Sequence, residues 1–266
     1  MLCDIHCHLD DSAFDKDRDK VVQRAIDTKV VRIITCGIDR LTNQKALALA
    51  EKYTNVYAAL GRYPFDALEN DGHYERNPEA IRTTIEDEIA FIKNHAKKCI
   101  AIAKCGLDLH HGKDITKQIE EFKKMIELAI ELKKPLVIHS RKAEEQTLEV
   151  LESYKDMLNP HFVVLHCFSG RKKMIERAIK NKYMLSIPPS VIRSQQFQNM
   201  IKMTPLNQLL TETDSPFLSP YKREDGTSTR NEPAFVIESV KIIAQLKGLT
   251  EQDCMHQLFM NYQKVF

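Results

Sequence analysis

The chain has 266 residues, 43% of them hydrophobic and 29% charged, which is enough apolar material for a large core and excludes a disordered chain. Lys and Arg number 39 against 37 Asp and Glu, so the net charge of +2 neither announces nor excludes a polyanionic partner. Seven cysteines at irregular positions form no CxxC pair, and no apolar run approaches the ~20 residues that cross a bilayer; the expectation is a cytoplasmic protein with reduced thiols and no membrane association.

Short runs rich in Val and Ile alternate with longer charged stretches of helical period, which is how buried parallel strands and their crossover helices read. In chain order the expected strands are Leu2–His8, Val31–Gly37, Val56–Gly61, Cys99–Cys105, Leu136–His139, Phe162–His166, Tyr183–Ile187 and Gln208–Thr213. Between the fourth and fifth, Ile115–Leu132 is amphipathic: Ile119, Phe122, Met125, Ile126, Ala129 and Ile130 share one face, with Lys117, Glu121, Lys124 and Glu131 outside it. Eight strands with their crossovers predict an α/β fold, a single (β/α)8 TIM barrel spanning residues 1–266. An open doubly wound sheet would carry a glycine-rich phosphate loop after its first strand, where this chain reads His6-Cys7-His8-Leu9-Asp10. Glu69–Pro78 and Ser219–Glu232 are the longest irregular stretches and are expected as loops on the C-terminal face.

The residues that close the strands carry the chemistry. His6 and His8 are two apart on one strand, so their imidazoles project to the same side, an arrangement that suits one metal ion. His139 ends the fifth strand, His166 the sixth, and Asp214 follows the eighth, all at the edge where barrel enzymes gather their active groups. A lone histidine at a strand end is ordinarily a hydrogen-bonded structural residue; four of them with an aspartate, and no compensating charge in the strands, predict a cation. Imidazole and carboxylate ligands suit Zn, Mn, Fe or Ni better than Ca and can be divided between two ions.

The segments Asp4-Ile5-His6-Cys7-His8-Leu9-Asp10, Gly106-Leu107-Asp108, Pro135-Leu136-Val137-Ile138-His139-Ser140-Arg141, Leu165-His166-Cys167-Phe168-Ser169-Gly170, Glu212-Thr213-Asp214-Ser215-Pro216 and Arg230-Asn231-Glu232-Pro233 stand in this order along essentially the whole chain. In them the chain resembles the TatD-related metal-dependent deoxyribonucleases, a branch of the amidohydrolase-like barrels. The resemblance implies a phosphodiesterase that acts on DNA, trimming 3′ ends, with one or two divalent ions (Zn, Mg or Mn) held by His6, His8, His139, His166 and Asp214. It implies DNA as substrate and gives no sign of an obligate protein partner. Asp214 is also the expected catalytic acceptor of the proton from a metal-activated water. Glu212 either meets substrate or makes a structural hydrogen bond to a neighbouring strand, and Arg141, directly after a ligand histidine sequence, is expected on phosphate.

Two positions depart from the family pattern. Where the family carries a bridging Glu just before the GLD glycine, this chain has Lys104. An ammonium between divalent ions is repelled, so Lys104 must point away, be neutral, replace one ion, or become a ligand as a carbamate. Where the family reads Gly-x-His-Pro, this chain reads Gly61-Arg62-Tyr63-Pro64; Tyr63 can donate to a phosphate oxygen or pack against the strand end. With an ordinary pKa near ~10, a tyrosine there does not serve as a neutral-pH acid or base. His110 and His111 add imidazoles on the same face, either as replacements or as solvated loop residues. These departures keep two other readings open: a related barrel hydrolase of a small ester or amide, and a nucleic-acid- or protein-binding scaffold without catalytic metal.

Overall fold

In the computed structural model, which describes residues 1–266, eight parallel strands pair in chain order: β1 (Leu2–Cys7), β2 (Val30–Cys36), β3 (Val56–Gly61), β4 (Cys99–Asp108), β5 (Leu136–Arg141), β6 (Val163–Leu165), β7 (Met184–Ile187) and β8 (Leu209–Thr211). Helices fill the crossovers, as the alternating pattern predicts. The helix Ile115–Leu132 has the predicted bounds; Asp114 caps its start by accepting from the Lys117 amide, and Phe122, Met125, Ile126 and Ala129 face inward. Ile119 and Ile130 lie at the margin of that stripe, half-buried, while Gln118 is buried because its amide serves the end of β4.

Alternating strand residues feed two cores. One parity packs outward against the helices, with Leu2, Ile102, Cys105, Leu136, Ile138, Val163 and Leu165 among its members. The other fills the lumen with Cys3, Ile5, Ile34, Ala59, Ala101, Ala103, Val137, Val164 and Leu210, sealed at the N-terminal end by Tyr262 and Val265 of the helix Glu251–Val265. The barrel is nearly closed rather than fully laddered: β8 is too short to pair with β1, and the seam is held by other bonds. The Asp214 and His8 amides donate to the His6 and Ser215 carbonyls at 2.8 and 2.7 Å, and Thr211 Oγ1 donates to the Cys3 carbonyl at 2.7 Å. Asp4, fully buried, accepts from the amide and hydroxyl of Thr213 at 2.8 and 2.5 Å, and burial pushes its carboxyl well up.

Two register irregularities decide what enters the mouth. In β1 the pairing with β2 slips between Asp4 and Cys7, and in β4 the pairing with β5 skips Lys104, so that Ala103 faces Val137 and Cys105 faces Ile138. Ala103 is in the lumen and Cys105 outside it, so the bulged Lys104 joins the inner set and rephases the rest of β4. Gly106 permits this course, with φ of 137° and its Cα so close to the His139 carbonyl that a Cβ would lie 2.0 Å from the oxygen.

The stretch Glu69–Pro78 is more regular than its sequence suggests: it runs through the end of the helix Phe65–Asn70 and the short helix His73–Arg76. Ser219–Glu232 remains mostly irregular, pinched by a bridge between Lys222 and Ser228. All seven cysteines are free thiols, and no helix is long and apolar enough to cross a membrane.

Candidate metal centre at the barrel mouth

His6 is carried inside β1, Lys104 in the β4 bulge, and His8, His166 and Asp214 just beyond the ends of β1, β6 and β8. These groups converge. The Nε2 atoms of His6 and His8 lie 3.4 and 3.5 Å from Asp214 Oδ1, and His166 Nε2 lies 3.9 Å from it. The rings of His6 and His166 stack with centroids 3.9 Å apart, and those of His6 and His8 meet edge to face at 5.1 Å.

Outer partners set the ring orientations. His8 Nδ1 sits 3.0 Å from the Cys36 carbonyl, an acceptor, which fixes the proton on Nδ1 and leaves Nε2 with its lone pair toward Asp214. His166 Nδ1 donates to Glu212 Oε2 at 2.7 Å, freeing its Nε2 in the same way. Burial lowers the His6 and His166 imidazoles well below their ordinary pKa, aided by each other's neighbours and the Lys104 charge, so both rings are neutral at neutral pH. Neutral rings with aimed lone pairs are what a metal requires.

Lys104 occupies the middle of this set. Its Nζ lies 3.0 Å from His6 Nε2, 3.0 Å from His166 Nε2 and 3.2 Å from Asp214 Oδ1. Burial alone would raise the Asp214 carboxyl, but the Lys104 ammonium and His166 outweigh it and hold it well below the usual carboxylate range. Three residues of the site take a left-handed backbone without being glycine: Lys104 at φ 51°, Cys167 at 45° and Asp214 at 52°.

Fit to a divalent ion is tested by spacing. His6 Nε2, His8 Nε2 and Asp214 Oδ1 all lie within 4.8 Å of one another, and the 3.4 and 3.5 Å spacings match neighbouring donors around one tetrahedral ion bound at about 2.0–2.2 Å. Those three residues fit. His166, Cys167 and Asp214 form a looser group. There the burial of the Cys167 sulfur, with Glu212 and Asp214 beside it, pushes the thiol well up.

His139 reaches the same mouth but is turned to a different cluster. Its Nε2 lies 3.0 Å from Asp108 Oδ2 and 2.9 Å from the Tyr63 hydroxyl, and its ring is 6.1 Å from that of His166. Asp108, at the end of β4, is buried and also accepts from the Tyr63 hydroxyl, from His111 Nδ1 at 3.0 Å, and from the His110 and His111 amides at 2.8 Å. Burial would raise this carboxyl, yet the His139 and Tyr63 hydrogen bonds hold it far below its ordinary range. Tyr63 is buried and its hydroxyl pushed well up, by burial first and by Asp108 second; it is committed to Asp108 and His139 and does not present its donor to the mouth.

Glu212, expected toward substrate, is fully buried and turned inward: besides His166 it accepts from the Cys167 amide at 2.8 Å, and burial raises its carboxyl. Of its two sequence readings, the hydrogen bond to a neighbouring strand end is the one seen. Arg141 is exposed at the end of β5. Arg230 instead forms a two-pronged pair with Asp17 at 2.7 and 2.8 Å, binding the loop after β8 to the barrel wall. Neither Asp108 nor Phe217 has a role legible in the sequence pattern; Phe217 is 54% exposed, with its ring 6.2 Å from that of His8.

The family model described as TatD related DNase matches residues 3–266. Among curated relatives, a metal-dependent hydrolase of Bacillus subtilis (strain 168) is 32% identical, with 100% of this chain and 99% of that protein covered. The human deoxyribonuclease TATDN3 is 32% identical over 100% of this chain and 94% of its own length. A 3'-5' ssDNA/RNA exonuclease TatD of Erwinia tasmaniensis is 30% identical, covering 100% and 99%. Among solved structures, a TatD homologue from Escherichia coli K12 superposes with a TM-score of 0.83 at 24% identity, covering 100% of this chain and 97% of the other.

Proposed function

Because the chain belongs to the TatD related DNase family of metal-dependent hydrolases, we propose that it hydrolyses phosphodiester bonds of DNA at the barrel mouth, with a divalent ion held by His6, His8 and Asp214. The observation that carries the reading is the convergence of those three donors, at metal-ligand spacing, in a chain matched by the family from residue 3 to 266. The substrate class follows relatives named deoxyribonuclease and 3'-5' ssDNA/RNA exonuclease, which favours a single-stranded 3′ end.

A divalent ion at such a set acidifies water and neutralises charge on a phosphoryl oxygen. The chain supplies the rest. Asp214, kept ionised, orients the attacking water by accepting its hydrogen bond at the carboxylate. Glu212 keeps the His166 lone pair pointed into the site. Arg141, exposed at the rim, offers a planar fork to a phosphate, and the exposed Phe217 ring beside His8 gives a terminal base a face to stack on. No member of this set depends on sequence-specific base edges, as suits an enzyme that trims ends.

The test is a 5′-labelled single-stranded oligonucleotide incubated with Mn(II), Zn(II) or Mg(II). We expect a ladder of 3′-shortened products that a chelator abolishes, and a loss of roughly a thousandfold in kcat on Asp214→Ala, the several kcal/mol that a metal-centred site contributes. Ester or amide turnover without DNA cleavage would move the assignment to a neighbouring hydrolase class. DNA retention without cleavage or bound metal would make the barrel a scaffold.

A further inference from the structure

We propose that the Lys104 ammonium takes the place of a second metal ion, so that this centre holds one divalent ion beside a built-in organic cation. The proposal rests on the reading above that the His6, His8 and Asp214 set binds a divalent ion.

The geometry is that of a cation in a ligand nest. A lysine ammonium has three N–H donors and no acceptor, and Nζ has three acceptor atoms around it: His6 Nε2 and His166 Nε2 at 3.0 Å, and Asp214 Oδ1 at 3.2 Å. At His166 the acceptor role is fixed, since Nδ1 is already spent on Glu212. Two imidazole nitrogens and one carboxylate oxygen are also donors that a divalent ion would take. The position is built rather than incidental. Regular alternation would carry residue 104 out toward the helices; the β4 bulge, with φ of 51°, turns it into the lumen.

The donors a second ion would need are accounted for elsewhere. The His166 lone pair faces Lys104, and His139 Nε2 carries the proton it donates to Asp108, so it has no lone pair to set beside that of His166. A positive charge fixed within 3.2 Å of Asp214 also repels another cation approaching from the His166 side. An ion held by His6, His8 and Asp214 would take the His6 lone pair and leave Lys104 its bonds to His166 and Asp214. The centre then carries three positive charges, two on the ion and one on the lysine, with the lysine part not exchangeable and indifferent to chelators. The Lys104 N–H given up by His6 would then be free to donate to a phosphoryl oxygen.

The experiment counts ions on the full chain. Metal-stripped protein is equilibrated with Mn(II), the bound metal is measured per chain, and electron paramagnetic resonance distinguishes an isolated Mn(II) ion from a coupled pair. We expect one uncoupled Mn(II) per chain in the native protein and two coupled ions in Lys104→Glu, which puts a bridging carboxylate where the ammonium was. Two coupled ions in the native protein, or a carbon dioxide adduct on the Lys104 peptide by mass spectrometry, would overturn the inference and leave the proposed hydrolase standing. No ion in either protein would overturn the metal-site reading itself. Should Lys104→Glu fail to fold, Lys104→Met provides the check: without the charge, Mn(II) binds about tenfold more tightly, and an unchanged affinity would also overturn the proposal.

Discussion

On the β1, β6 and β8 side of the mouth, imidazole lone pairs and a carboxylate surround one lysine; on the β3, β4 and β5 side, a phenol, two imidazoles and two amides surround one carboxylate. The first cluster is a set of acceptors around a cation. The second is a set of donors around an anion. A divalent ion can join the cation in the first, because every atom facing it already offers electrons. In the second, an ion would have to strip donors from Asp108, so that side is satisfied from within and acts as the wall against which the reactive side is held. Histidines that look alike in sequence thus serve opposite ends: His166 presents a lone pair and His139 closes on a carboxylate.

The sharpest way to break this contrast is Asp108→Asn. The amide puts N–H donors where the cluster supplies donors, and we expect a loss of about 3 kcal/mol in urea unfolding at pH 7. The Asp108 carboxyl is held below its unfolded value, so its stabilisation is fully present above about pH 4, the unfolded carboxylate range, and drains away as pH falls toward its folded value. The gap between native protein and Asp108→Asn is therefore expected to be constant near neutrality and to narrow below about pH 4; a gap that widens on acidification would refute the assignment. Glu212→Gln tests the other side. It weakens the acceptor that fixes His166, the partner of Lys104, and because the proposed ion is held by His6, His8 and Asp214, titration calorimetry should show Mn(II) affinity falling by less than about tenfold; a larger fall would make His166 a ligand.

Smaller effects refine the boundary between the two clusters. Tyr63→Phe removes one donor from Asp108 and one partner from His139, at a cost of about 1–2 kcal/mol, and the number of ions bound should not change. A change in stoichiometry would mean that the two sides are one site. Arg141→Ala, outside both clusters, should raise KM for an oligonucleotide several-fold, leave kcat alone, and reduce the salt dependence of binding by about one phosphate contact.

Strand β3 and the helix Ile115–Leu132 have the bounds their residue patterns dictate, and His139 and His166 follow from simple alternation behind the lumen residues Val137 and Val164. His6 and Lys104 do not. The spacing of His6 and His8 puts both rings on one side, yet strict alternation from Cys3 and Ile5 would send that side outward; the register slip in β1 turns it in, and the bulge in β4 does the same for Lys104. A bulge depends on pairing with a neighbouring strand, and pairing is not written in a local pattern. Asp108 escaped for a related reason, since its partners come from β3, β5 and the turn after β4. The inward turn of Glu212 depends on where β6 ends and the Cys167 amide points, which no single segment specifies.

The left-handed backbone at Lys104, Cys167 and Asp214 costs stability. Each such residue stores on the order of 1 kcal/mol or more that a glycine would release. At Lys104 and Asp214 that release is outweighed by the buried counter-charge each would leave unpaired, so laboratory selection for heat resistance alone would reach Cys167 first and leave the barrel's chemistry standing.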